Sequence, residues 1–220
     1  MERDLDFSED ENIPRVFKYT SSNIPPWTLK CPKIILDCTQ YKKDETNEEL
    51  LPTVFYTVIN QYDGYNILYT DGSKVEQGVG SALTDENETY NWTLSKAASI
   101  FTAELYAILK ALNYVESKGC ADTLICSDSL NPVAKTILNQ IQELTNTGKN
   151  IKLVWTPSHV GIGGNEIADR IAKQATTNNL QNIKIRSEDI EPLLKCKITA
   201  LWQNEWENFN AKLKEIKTNK

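Results

Sequence analysis

The chain has 220 residues, 40% of them hydrophobic and 25% charged, with a formal net charge of −6. Such a composition fits a folded water-soluble domain with extensions and excludes a low-complexity or collagen-like chain. No apolar run approaches the roughly 18 residues of a membrane helix, and the acidic start "MERDLDFSEDEN" lacks the basic-then-apolar order of a secretory leader.

Residues 1–12 hold six acids against one base, a local balance of −5 that leaves −1 for the other 208 residues. The body is thus nearly neutral, and residues 1–24 read as a disordered acidic segment. Five scattered cysteines with no Cys-x-x-Cys pair point to free thiols in a cytoplasmic or nuclear, not secreted, setting. Residues 25–64 read as a connector. Within it Ile34, Ile35 and Leu36 form a short strand-like run, "YKKDETNEELLP" looks like a charged linker, and "TVFYTVIN" fits either a strand or a linker.

From residue 66 the patterns sharpen. "NILYTD" is an apolar strand ending in Asp71, with Gly72-Ser73 as a turn. "GVGSALTD" and "ETYNWTLS" alternate as two antiparallel strands. "SIFTAELYAILKALNYVESKG" is an amphipathic helix closed by Gly119. "DTLICSD" is a second apolar strand ending in an acid, Asp128. Residues 131–148 predict a helix with Pro132 in its first turn, and 151–155 a strand. Gly164 or Asn165 opens a helix striped by Ile167, Ala168, Ile171, Ala172 and Ala175. The order predicts an α/β fold with three meandering strands followed by crossovers. Residues 187–217 form an extra C-terminal, Trp-rich helical extension whose apolar stripe packs on the domain or on a partner.

Four carboxylates stand where a core does not want them. Asp71 and Asp128 each end a buried strand after a hydroxyl residue, and sites in open α/β sheets form outside such ends. Singly, each is more often a turn or cap residue. Glu104 lies within the apolar arc of Ile100, Phe101, Ile108, Ala111 and Val115, where an unpaired carboxylate is costly. Arginine occurs only at 3, 15, 170 and 186, so a metal gains weight as its partner. Asp169 sits early in its helix, which also suits a dipole partner. Together, four carboxylates at one point cannot all ionise without cations, and hard oxygen ligands select Mg²⁺, with Mn²⁺ as a substitute. A two-ion site suits phosphodiester cleavage. His159, the sole histidine, precedes Asp169 on a Gly-rich loop and can move a proton or help release product.

"YTDGSK", "FTAELYAI", "CSDS" and "WTPSHVGIGGNEIADRIAK" resemble the type 1 ribonuclease H domain, most of all the one following reverse transcriptase in insect, jockey-like non-LTR retrotransposons. The likeness covers residues 66–178. It implies a five-stranded mixed sheet flanked by helices over residues 65–180, and endonucleolytic cleavage of the RNA strand of RNA–DNA hybrids. It makes Asp71 a ligand of both ions, with Glu104 and Asp128 on one and Asp169 on the other, and His159 the loop histidine. Gly72 and Ser73 would lie against the RNA, whose 2′-hydroxyls mark it out from DNA. A monomer is expected, with a reverse transcriptase domain or another protein meeting the C-terminal helix. The rival reading is a catalytically silent, retroelement-derived domain that binds nucleic acid or protein. Between Asn131 and Ile151 there is room for one helix only, so the basic protrusion of cellular relatives is missing.

The acidic N-terminus should repel phosphates. Deleting residues 1–12 is expected to tighten hybrid binding at low ionic strength, with the gain fading at about 0.15 M salt, where screening acts beyond roughly 8 Å. Equal dissociation constants for full-length and truncated protein at low salt would remove that role.

Overall fold

The computed structural model describes residues 32–41, 45–47, 49–85, 87–129, 135–181, 183 and 187–208. The expectations for residues 1–24, for Pro132 and for the end of the C-terminal stripe lie outside them. Among the described residues six strands form one sheet in the order β1-β6-β5-β2-β3-β4. They are β1 (Lys33–Ile35), β2 (Asn66–Lys74), β3 (Val79–Thr84), β4 (Thr89–Leu94), β5 (Asp122–Ser127) and β6 (Asn150–Trp155). β1, β6, β5 and β2 run parallel, and β3 and β4 are antiparallel additions. The class is mixed α/β, as expected. β1 is a sixth strand beyond the five anticipated, formed from the Ile34-Ile35 run on the open edge of β6.

The helices are α1 (Leu50–Ile59), α2 (Ile100–Lys118), α3 (Lys135–Asn146), α4 (Gly163–Ala175) and α5 (Ser187–Asn208). Side chains alternate across the strands and divide the interior into two layers. On one face Leu68, Ile125 and Leu153 pack with Ile108 and Leu112 of α2 and Ile137 and Ile141 of α3. On the other, Tyr69, Leu124 and Val154 pack with Leu51, Phe55 and Val58 of α1 and Ala168 of α4. Phe55 is fully buried. Burying such a side chain is worth about 1.5–3 kcal/mol, which fixes α1 to the sheet.

Three local readings change. "TVFYTVIN" joins α1, a helix, because Leu51, Phe55, Val58 and Ile59 fall on one helical face against the core. Pro52 sits in the first turn, where its missing N–H costs nothing. Gly72 and Ser73 do not turn: β2 runs on to Lys74, paired with β3 alone. α4 opens at Gly163, one residue earlier than expected. α2 begins and ends as its sequence signals, with the Ser99 hydroxyl accepting from the Thr102 N–H at 3.1 Å and Gly119 at φ 72°. α5 docks by its first turns. Ile190 is buried with Val79, Leu94, Ala98 and Ala103, and the Thr102 hydroxyl donates to Asp189 at 2.6 Å. Further along, Ile198, Leu201 and Trp202 are exposed. The four described cysteines are unpaired, as expected.

α4 lies close on the sheet because both surfaces are stripped of bulk. Ala168, Ala172 and Ala175 are fully buried. A Cβ on Gly80 would stand 2.1 Å from the Ala172 carbonyl oxygen. Gly80→Ala must push the helix backbone away, so it is expected to cost about 1–3 kcal/mol. In urea this appears as a lower midpoint with an unchanged m value; a wild-type midpoint would mean that α4 yields freely.

Candidate functional site

The parallel register Thr70↔Ser127 is the last rung joining β2 to β5, so the next residues, Asp71 and Asp128, leave that rung side by side. Glu104 reaches them from the second turn of α2. It does so because α2 touches β2: a Cβ on Gly72 would stand 2.7 Å from the Glu104 backbone nitrogen. Carboxylate oxygens of Asp71, Glu104 and Asp128 come within 4.8 Å of one another. Asp71 is 4% exposed and Glu104 5% exposed. Glu104 Oε2 is buried with no hydrogen-bond partner. The apolar arc expected around Glu104 is real at Ile108, Ala111 and Val115, which are buried, whereas Ile100 is exposed.

Burial, then the neighbouring acids Asp128 and Asp169, push the Asp71 carboxyl up to about 8, with the Gly72 amide and Lys173 opposing. Burial and then Asp71 push Glu104 up to about 9. Asp128 is raised too, again mainly by burial, with His159 pulling the other way. Burial and mutual repulsion thus both favour the protonated forms of these acids.

Asp169 stands slightly apart. It groups with His159 and Glu166, whose ligand atoms also lie within 4.8 Å of one another. His159 Nδ1 is 4.0 Å from Asp169 Oδ2, and the Lys173 ammonium, one turn along α4, is 2.7 Å from the same oxygen. That hydrogen bond is the chief reason the Lys173 ammonium is raised. Asp169 still belongs to the same electrostatic field, since its charge bears on Asp71, Glu104 and Asp128. The His159 side chain is 58% exposed, and its backbone has φ 53°, the single positive φ among described non-glycine residues. Gly72 is half-buried and Ser73 buried on β2 beside this cluster.

Glu166 and Lys173 were not singled out from the sequence. The signal was present at Lys173, four residues after Asp169, the spacing of a helical ion pair. At Glu166 it was three residues before Asp169 on the same helix face.

No protein-family model matches the chain. Among solved structures, it aligns with RNase H1 from the halophilic archaeon Halobacterium salinarum at 22% identity and a TM-score of 0.39, over 51% of this chain and 97% of that one. It also aligns with the N-terminal RNase H domain of a Mycobacterium tuberculosis protein, solved as a maltose-binding protein fusion. There the identity is 18% and the TM-score 0.39, over 50% of this chain and 97% of that one.

The raised carboxyls carry a linkage consequence. Asp71 and Glu104 ionise near 4 when unfolded and near 8 and 9 when folded, so between those limits the folded state holds more protons. Stability in EDTA should therefore fall as pH rises from about 5 to 9. Glu104→Gln should flatten that slope in urea titrations, whereas parallel slopes for wild type and variant would contradict the burial argument.

Proposed function

We propose that this chain is a metal-dependent endonuclease of the ribonuclease H type, cleaving the RNA strand of RNA–DNA hybrids. One observation carries the reading: two buried carboxylates, Asp71 on β2 and Glu104 on α2, and the half-buried Asp128 just past β5 meet within 4.8 Å. No apolar fold gains from that arrangement, and the desolvation it forces is large.

The donor set fits Mg²⁺ or Mn²⁺. It offers only hard oxygens, its anionic charge exceeds what Lys173 can offset, and Glu104 Oε2 is an orphaned buried acceptor. Asp71, Glu104 and Asp128 would hold one ion, and Asp71 with Asp169 a second, as the motif resemblance implies. Bound ions would activate water and stabilise the charge that develops during phosphodiester hydrolysis.

The chain's own residues do the rest. Gly72 and Ser73 offer backbone and hydroxyl groups to the RNA strand beside Asp71. His159, exposed and next to Asp169, can take or give a proton at its ring nitrogens as product leaves. Residues 65–180 form the catalytic unit in this reading. The exposed Trp202 side of α5 would meet a partner, and the finer kinship is to the domain of jockey-like retrotransposons.

The direct test is cleavage of a labelled RNA–DNA hybrid in Mg²⁺ and in EDTA, with duplex DNA, duplex RNA and single strands alongside. Mg²⁺-dependent cutting of the hybrid RNA alone is expected. A hybrid that is bound but never cut would make the chain a silent binding domain. Asp71→Asn should abolish cleavage while the protein stays folded by circular dichroism. His159→Ala should slow turnover by about 10²–10⁴-fold without stopping it, since general acid–base help has that size. Turnover by Asp71→Asn at the wild-type rate would defeat the assignment of the metal ligands.

A further inference from the structure

His159 is held in a backbone conformation that non-glycine residues rarely adopt, φ 53°. Such a conformation persists only where the surroundings impose it. Two hydrogen bonds hold the backbone that follows His159, one from each side of the loop. From α4, Glu166 Oε1 accepts the Gly161 N–H at 3.2 Å. From α1, the Tyr56 hydroxyl accepts the Gly163 N–H at 3.3 Å.

The second contact comes from outside the stretch that carries the motifs. α1 is seated beside the loop by Leu51 and Phe55, which share a buried cluster with Val160 and Ile162 on either side of Gly161. Pro52 lies under the loop, 3.9 Å from where a Gly161 Cβ would be. The helix that precedes the sheet domain is therefore built into the histidine loop.

We propose that Tyr56 and Glu166 are positioning residues, a two-sided clamp that holds the 158–163 loop so that the His159 ring stays beside Asp169. This rests on the hybrid-nuclease reading for its catalytic half only. Glu166 is a carboxylate near Asp169, yet its role here is to accept one backbone N–H, which an amide oxygen can also do. Tyr56 contributes a single hydroxyl to a backbone N–H and stands outside the motif-bearing stretch, on α1.

The experiment uses the full chain with Tyr56→Phe, Glu166→Ala and Glu166→Gln, each also combined with His159→Ala. Two readouts are taken: hydrogen exchange at the Gly161 and Gly163 amides, and steady-state cleavage of an RNA–DNA hybrid across a Mg²⁺ titration. Tyr56→Phe should speed exchange at Gly163, and Glu166→Ala at Gly161, by about 2- to 10-fold, the worth of one such hydrogen bond. Each should lower kcat by a similar factor while leaving KM and the Mg²⁺ midpoint in place. Glu166→Gln should recover most of the loss seen in Glu166→Ala. Neither change should matter once His159 is alanine, because the clamp acts through that ring.

Unchanged exchange in both single variants overturns the clamp. Losses that persist in the His159→Ala background overturn the link to His159 and leave general stability as the cause. A Glu166→Gln variant that behaves like Glu166→Ala and needs more Mg²⁺ makes Glu166 a ligand instead. If wild-type protein cuts no hybrid, the functional reading fails and takes the catalytic half with it, while the exchange rates still decide whether the clamp exists.

Discussion

Three carboxylates, two buried and one half-buried, are brought together by strand register and a close helix approach, and the rest of the fold is arranged around that conflict. Asp71 and Asp128 are neighbours because the β2–β5 ladder ends at Thr70↔Ser127. Glu104 joins them because Gly72 lets α2 come down onto β2. Neither approach can be relaxed without moving a strand or a helix. The interior has too few compensating donors: the Gly72 amide and a lysine at the rim oppose a much larger desolvation. A fold tolerates such a locus when the remainder is well enough packed to carry it, and the two alternating apolar layers do that.

Support for the site is graded by distance from it. The cluster itself stands on strand ends and on α2, elements whose positions the sheet determines. Asp169 stands on α4, which is fixed by an alanine stripe lying against glycine on β3. His159 stands on a loop, half exposed, and its conformation depends on hydrogen bonds from α1 and α4. The acids are thus on sheet and helix elements, while His159 is on a loop that is held by contacts from two helices.

Much of this was legible in the sequence, for identifiable reasons. The acids at 71 and 128 follow apolar runs after a hydroxyl residue, and Glu104 interrupts a helical apolar arc; both are local anomalies that a pattern can expose. The ends of α2 were equally plain, because Ser99 and Gly119 act within one turn of themselves. α1 was harder. "LLPTVFYTVI" is rich in β-branched and aromatic residues, and its helical state depends on the buried face that Leu51 and Phe55 find against the sheet. The continuation of β2 through Gly72 was hidden because glycine signals a turn, whereas here its lack of a side chain admits a helix. The approach of His159 to Asp169, and the reach of Tyr56 to Gly163, depend on tertiary contacts that no spacing encodes.

The pairing of β1 with β6, Lys33 with Lys152 through Ile35 with Val154, joins points more than half the chain apart. During synthesis the segment bearing β1 and α1 emerges long before the strand and loop it must meet. Before β6 and α4 arrive, Leu51 and Phe55 can rest on Tyr69 and Leu124 but lack Val154, Val160, Ile162 and Ala168, and contacts of such long range form slowly because the intervening chain must first be organised. The last structure to be completed is then the one that seats the histidine loop. On the proposed reading, a partly folded chain would bring Asp71, Glu104 and Asp128 together before α4 delivers Asp169 and the histidine loop, so the site would be completed only at the end of folding.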